Sequence, residues 1–257
     1  MDSAKSAAKL EEMNWPDIKA LLNRTNIAIV PVGSLEQHGP HLPINTDTVI
    51  ACEVAKRAVQ RVGVAVSPPI SFGFSVEHQN YPGTISLSAE SFMNVVQDVC
   101  KSLVYHGFRK IVLLNAHGGN TGILTAILQS IRSEYNVTVS LVSIWGLAKD
   151  EFDRIRESEP VPIAHGEECE TSLMLAIDPA KVDLERMKRT KPRPRLGASM
   201  LHYKIGVRAG WRTEDISESG VIGDPTKATR EKGERLLAAI TEKLVNYLEK
   251  LEKTTPP

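Results

Sequence analysis

Ile27-Ala28-Ile29-Val30-Pro31-Val32 is a short apolar run that passes through Gly33-Ser34-Leu35 into Glu36-Gln37-His38-Gly39-Pro40-His41-Leu42-Pro43. The run reads as a strand, the helical pattern Thr48–Arg61 follows it, and Val62–Val66 reads as the next strand. Strand, helix, strand is the βαβ rhythm, and it continues downstream. Ser88 has the chemistry of an N-cap with Glu90 in the first turn, and the helix it opens runs to His106, where Gly107 stops it before the strand Ile111–Leu114. A helix Thr121–Glu134 and a strand Val137–Ile144 come next. Strands apolar almost throughout are covered on both faces, so the expected fold is a three-layer α/β/α sandwich around a mostly parallel sheet.

Beyond Cys169 a shorter helix reaches Ile177, the segment Asp183–Ser219 has little periodicity, and a closing helix spans Thr226–Leu251. That helix puts Leu237, Ile240, Leu244, Tyr247, Leu248 and Leu251 on one stripe. We read residues 1–257 as one domain, with 1–15 an N-terminal extension and 252–257 a tail. Thirty-one basic residues balance 31 acidic ones, and aromatics make up only 5%, which disfavours a nucleic-acid or anionic-membrane surface. Cys52, Cys100 and Cys169 are odd in number and far apart, so a reducing, cytoplasmic setting is expected. The N-terminus lacks an apolar signal core, and no stretch approaches the roughly 18 apolar residues of a membrane span.

Three clusters can carry chemistry. Glu36 and His38, two apart at the end of the first strand, share a face in extended chain, so a carboxylate and an imidazole converge where ligands of such sheets sit. Together they could begin a site for zinc or manganese. Asp47 stands just before the helix, where an N-cap is an equally good reading. His117, in Asn115-Ala116-His117-Gly118-Gly119-Asn120, follows a core strand and faces the same rim, although a tight turn with an incidental histidine has the same pattern. The loop has neither phosphate-binding fingerprint. His165-Gly166-Glu167-Glu168-Cys169-Glu170 is an acidic helix entry, in which at least two glutamates are expected to be solvated and one to be a ligand. Cys169 reads as buried packing.

Combined, these clusters resemble the creatininase (creatinine amidohydrolase) family. So do Tyr81-Pro82-Gly83-Thr84-Ile85-Ser86-Leu87 and Gly220-Val221-Ile222-Gly223-Asp224-Pro225, which extend the likeness over roughly residues 27–230. The resemblance implies two divalent metal ions per chain, zinc or manganese with iron(II) admissible, and a homohexamer. It makes Asp47 the bridge, Glu36 and His117 the other ligands of one ion, and His38 a ligand of the second. The family's namesake carries a glutamate ligand where this chain has Gly119, and Glu170 is the natural replacement. His165 becomes the proton carrier and His41 a residue that orients a ligand, while Trp145, Glu77 and His78 become pocket-wall candidates for a small-molecule substrate. The tryptophan that precedes the proton-carrying histidine in the namesake is replaced by Val161-Pro162-Ile163.

The implied activity is hydrolysis of a non-peptide C–N bond by metal-activated hydroxide. Alternatives of the same fold are a formylaminopyrimidine nucleotide deformylase, a keto-inositol or sugar hydrolase and a cofactor-peptide peptidase. A nucleic-acid-binding module using the basic run Arg186–Arg195 is the remote alternative, and that run equally suits a solvated loop, a substrate contact or a subunit contact.

Overall fold

The computed structural model describes residues 8–161, 164–190 and 209–255. Five strands form one parallel sheet in the order β1-β3-β2-β4-β5: β1 (Ala8–Lys9), β2 (Ile27–Val32), β3 (Ala65–Val66), β4 (Lys110–Asn115) and β5 (Thr138–Ser143). The helices are α1 (Trp15–Leu22), α2 (Thr46–Val62), α3 (Ala89–His106), α4 (Thr121–Tyr135), α5 (Ile144–Ile155), α6 (Glu168–Ile177), α7 (Leu184–Arg189), α8 (Thr213–Ile216) and α9 (Arg230–Glu252).

Alternation along β2 makes the two cores. Ile27 and Ile29 face a layer built on α2, α5, α6 and α9, while Ala28, Val30 and Val32 face Leu21 of α1 and the helices α3 and α4. Burial on both faces is what a fully covered parallel strand requires. The chain leaves β2 for β3 over one face, then crosses to β4 on the other side of β2, with α2 and α3 on opposite layers. That reversal makes the carboxyl ends of β2 and β4 a topological switch point, where a crevice opens. Val32 and Asn115 are partners in the register, so the loops that follow them start side by side.

Most expected elements form within a residue or two. The helix after β2 starts earlier and runs through Val62, where Gly63 at φ +73° receives the chain, so the next strand shrinks to Ala65–Val66. Ser88 caps α3 by accepting the Ser91 N–H, as read from its sequence. The N-terminal segment is more than an extension: Ala8–Lys9 adds a parallel edge strand and α1 packs Leu21 into the core. A helix, α5, begins at Ile144, where the strand was expected to end, and within Asp183–Ser219 α7 and α8 are present. Lys191, Arg193 and Arg195 of the basic run lie outside the described residues, whereas Arg186, Lys188 and Arg189 lie in α7.

Helix α6 brings the third cluster to the crevice by packing closely on α9. Gly233 is the point of contact, since a Cβ there would come 1.8 Å from the Ser172 carbonyl oxygen. Glycine to alanine in an exposed helix interior gains about 1 kcal/mol. Here Gly233→Ala should instead cost about 1–3 kcal/mol through overpacking, read as a lower urea midpoint at unchanged slope. A gain in stability would show that α6 and α9 are not packed this tightly.

Candidate metal centre

Side chains from four loops and helix starts meet beyond β2 and β4. Glu36, His38, Asp47, His117, His165 and Glu170 are all buried. Asp47 is not the N-cap of α2: Asn45 takes that position, and Asp47 sits in the first turn with its carboxylate turned inward. His38 Nε2 lies 3.2 Å from Asp47 Oδ1 and 3.7 Å from Glu170 Oε2. His117 Nδ1 lies 3.0 Å from Glu36 Oε1 and 3.5 Å from Asp47 Oδ2. Asp47 thus stands between two imidazoles, each with its own second carboxylate. Three groups have ligand atoms close enough to hold a metal ion: Glu36, Asp47 and His117; His38, Asp47 and Glu170; and Glu36, His38 and His165.

Backbone carbonyls settle the imidazole orientations, because a carbonyl oxygen only accepts. His38 Nδ1 donates to the Glu36 carbonyl (3.1 Å), His117 Nε2 to the Phe74 carbonyl (2.9 Å) and His165 Nε2 to the Gln37 carbonyl. Each ring therefore turns its other nitrogen toward the carboxylates, the outer hydrogen bond typical of metal-binding histidines. Gly119 allows the arrangement, since a Cβ there would come 2.5 Å from both His117 Nε2 and the Phe74 oxygen.

Electrostatics mark the same groups. Burial opposes charging His38 and His117, but Asp47 and Glu170 around the first, and Glu36 and Asp47 around the second, outweigh it and lift each to about 10. Glu170 is pushed up to about 7 by burial, against the pull of His38. Burial also pushes Asp47 up, and Glu36 adds to it. Glu36 goes the other way, because His117, His78 and His165 overcome its burial. His165 is held well below its usual value by burial and by His78 and His38.

The other glutamates of the α6 entry are buried too, which corrects the expectation that two would be solvated. Glu167 caps α6 by accepting the Cys169 N–H, and Glu168 bonds Lys232 Nζ (2.6 Å) and the Ser158 N–H. Partners 10 and 64 residues away along the chain compensate Glu168, so local sequence could not show it. Cys169 is a buried thiol pushed far above its usual pKa by burial.

A cavity of about 570 Å³ opens onto the cluster, within the range of small-molecule sites. Trp145, Glu77, His78 and Trp211 are among the residues that line it. Trp211 lay in a stretch without periodicity and carried no local signal. His78 is more than a wall residue, since its Nε2 lies 3.6 Å from Glu36 Oε1 and its ring stacks on His165. His41 Nε2 bonds Thr171 Oγ1 (2.8 Å), next to Glu170, and not one of the clustered carboxylates. A second cavity, beside β1 and α2, is lined by Lys9, Lys56 and Lys181 against Glu11, Glu53 and Asp178 and has no histidine among its described lining residues.

Fold and cluster define the class: a parallel α/β sandwich whose switch-point crevice gathers groups able to hold metal ions. The family model described as creatininase, creatinine amidohydrolase, matches residues 11–248, and the chain belongs to the creatininase family of hydrolases. It is 34% identical to the mycofactocin precursor peptide peptidase of Mycobacterium tuberculosis (strain CDC 1551 / Oshkosh), covering 84% of this chain and 82% of that protein. It is 30% identical to the creatinine amidohydrolase of Pseudomonas putida, covering 92% and 94%. A solved structure titled "Creatininase Mn" superposes with a TM-score of 0.83 at 27% identity, covering 97% of this chain and all (100%) of that one. Among the described residues no helix is long and apolar enough to cross a membrane.

If the cluster takes up metal, a manganese or zinc concentration 100-fold above Kd should stabilise the protein by about 2.7 kcal/mol. Thermal melts should show the rise in the unaltered chain and none in Asp47→Ala or His117→Ala. An equal rise in either variant would place the metal elsewhere.

Proposed function

We propose that this chain hydrolyses a non-peptide amide C–N bond of a small molecule at a centre of two divalent cations, zinc or manganese, bridged by Asp47. One observation carries the reading. Glu36 Oε2 and Asp47 Oδ2 are buried and accept no hydrogen bond among the described residues, and Glu36 Oε1 has only His117 Nδ1 within hydrogen-bond distance, 3.0 Å away. A buried polar atom left unpaired costs about 1–3 kcal/mol, and more when charged, so such oxygens call for a partner. Carboxylate oxygens with imidazole nitrogens suit zinc and manganese, and no cysteine belongs to the three groups found among the described residues.

Glu36, Asp47 and His117 would hold one ion, and His38, Asp47 and Glu170 the other. Bound there, such a pair supplies a water acidic enough to ionise near neutral pH and a Lewis acid for the amide carbonyl. The remaining steps belong to the protein. His165 donates its Nε2–H to Gln37, so its free Nδ1, 3.7 Å from Glu36 Oε1, is the atom that takes the proton of the attacking water and returns it to the departing nitrogen. His41 acts through Thr171 on the start of α6, which carries Glu170. Trp145 and Glu77 border the cavity where the substrate would lie. By resemblance the assembly would be a homohexamer, and the cysteine pattern suits the cytoplasm.

His165 also falls in one of the three metal-capable groups, so its role has a direct test. His165→Ala should keep about two metal ions per chain, the number of a two-metal centre, and lose about 10²–10⁴-fold in turnover. Elemental analysis beside kinetics decides it: loss of metal would make His165 a ligand, and full turnover would remove it from the chemistry. The substrate is best sought by offering the metal-loaded protein creatinine, small lactams, formylaminopyrimidines and short peptides. Cleavage of peptides alone would refute the non-peptide assignment.

A further inference from the structure

Gln37 decides which nitrogen of His78 carries a proton. Its own amide is oriented by two backbone groups that allow one reading each. The Gly39 N–H donates to Oε1 at 2.8 Å, and the Gly220 carbonyl accepts from Nε2 at 3.1 Å. The same amide nitrogen lies 2.9 Å from His78 Nδ1. A proton on Nδ1 would set N–H against N–H, so Nδ1 keeps its lone pair. The Thr213 hydroxyl, 2.7 Å from that nitrogen and 2.9 Å from the Glu77 carbonyl, has a proton it can turn either way. Both the Nδ1–H tautomer and the doubly protonated ring are disfavoured, which leaves neutral His78 with its proton on Nε2.

Nε2 is the nitrogen that faces the crevice. It is 3.6 Å from Glu36 Oε1, too far for a good hydrogen bond, and no other described residue receives its proton. The ring lines the cavity that opens onto the cluster, stacked on His165 with centroids 4.2 Å apart and edge-on to Trp211 at 6.3 Å. A buried ring thus offers a fixed, uncommitted N–H beside the residue assigned to proton transfer.

We propose that His78, locked as its Nε2–H tautomer by Gln37, donates a hydrogen bond to the substrate's carbonyl oxygen, while His165 alone moves protons. This rests on the amide-hydrolase reading. As water adds to the carbonyl, its oxygen gains negative charge, and a donor held in place strengthens its bond at that moment; removing one such donor costs about 10²–10³ in kcat. No bond to His78 forms or breaks. Its neutrality has a second use, because a charged ring stacked 4.2 Å away would oppose the charging of His165.

The tautomer can be read without turnover. In the full chain labelled with ¹⁵N-histidine, long-range ¹⁵N–¹H correlations should show His78 with a bare Nδ1 and a protonated Nε2 at every pH from about 6 to 8, the span in which a free histidine titrates. Gln37→Leu should release the lock and give mixed tautomers. A proton on Nδ1 in the unaltered chain, or a ring that titrates in this span, overturns the assignment. In the metal-loaded enzyme, His78→Ala should lower kcat about 10²–10³-fold, leaving the limbs of the pH profile in place. His78→Gln, which restores an N–H, should recover part of the loss. An unchanged kcat or a vanished limb in His78→Ala contradicts the donor role. Absence of amide hydrolysis by the unaltered chain sinks the hydrolase reading and the donor role together, and the NMR result then still decides the tautomer.

Discussion

Two buried carboxylates, Glu36 and Asp47, face the imidazoles of His38 and His117 across about 3–3.5 Å, and the rest of the crevice is arranged around that encounter. Ionised carboxylates far from water are costly, and here Glu36 Oε2 and Asp47 Oδ2 accept no hydrogen bond among the described residues. The imidazoles compensate instead. Each is lifted to about 10 by the carboxylates, so a cation that binds must displace their protons, and affinity would rise with pH as those protons leave. The same oxygens that destabilise the site on their own would favour a multiply charged partner.

The fold supplies this encounter through sheet topology. Because the chain reverses direction across the sheet at β2, the loops after β2 and β4 begin side by side, and Glu36, His38 and His117 reach one crevice from strands far apart in sequence. Asp47 arrives on the first turn of the helix that follows, and Glu170 on α6, which is held in place by the close packing of Gly233 against Ser172. Helix starts place Asp47 and Glu170, the loops after β2 and β4 place Glu36, His38 and His117, and the hydrogen bonds from His38, His117 and His165 to backbone carbonyls orient the rings.

Much of this was legible in the sequence, for physical reasons. Apolar runs such as Ile27–Val32 and Ile111–Leu114 admit little besides buried strands, and a strand end followed by His, Glu or Asp puts polar atoms where parallel sheets bind ligands. Family resemblance put Glu36 and His117 with a bridging Asp47 on one ion and His38 on the other, and offered Glu170 as the replacement for a missing ligand; the described groups able to hold an ion include Glu36, Asp47 and His117, and His38, Asp47 and Glu170. What stayed hidden depends on contacts distant in sequence. Ala8–Lys9 is a strand only because Ala65–Val66 pairs with it. Glu168 is buried only because Lys232 reaches it, and Trp211 borders the cavity from a segment with no pattern to read. One local signal was missed: Ser143 accepts the Gly146 N–H and so opens α5 at Ile144, where the strand was expected to end with no helix after it.

Anomalous diffraction from manganese-soaked crystals, collected on either side of the manganese edge, tests the central claim most directly. Two peaks are expected, one among Glu36, Asp47 and His117 Nδ1 and the other among Asp47, His38 Nε2 and Glu170, with Asp47 touching both. A single peak that leaves Asp47 uncoordinated, or density only at other sites, would contradict the account.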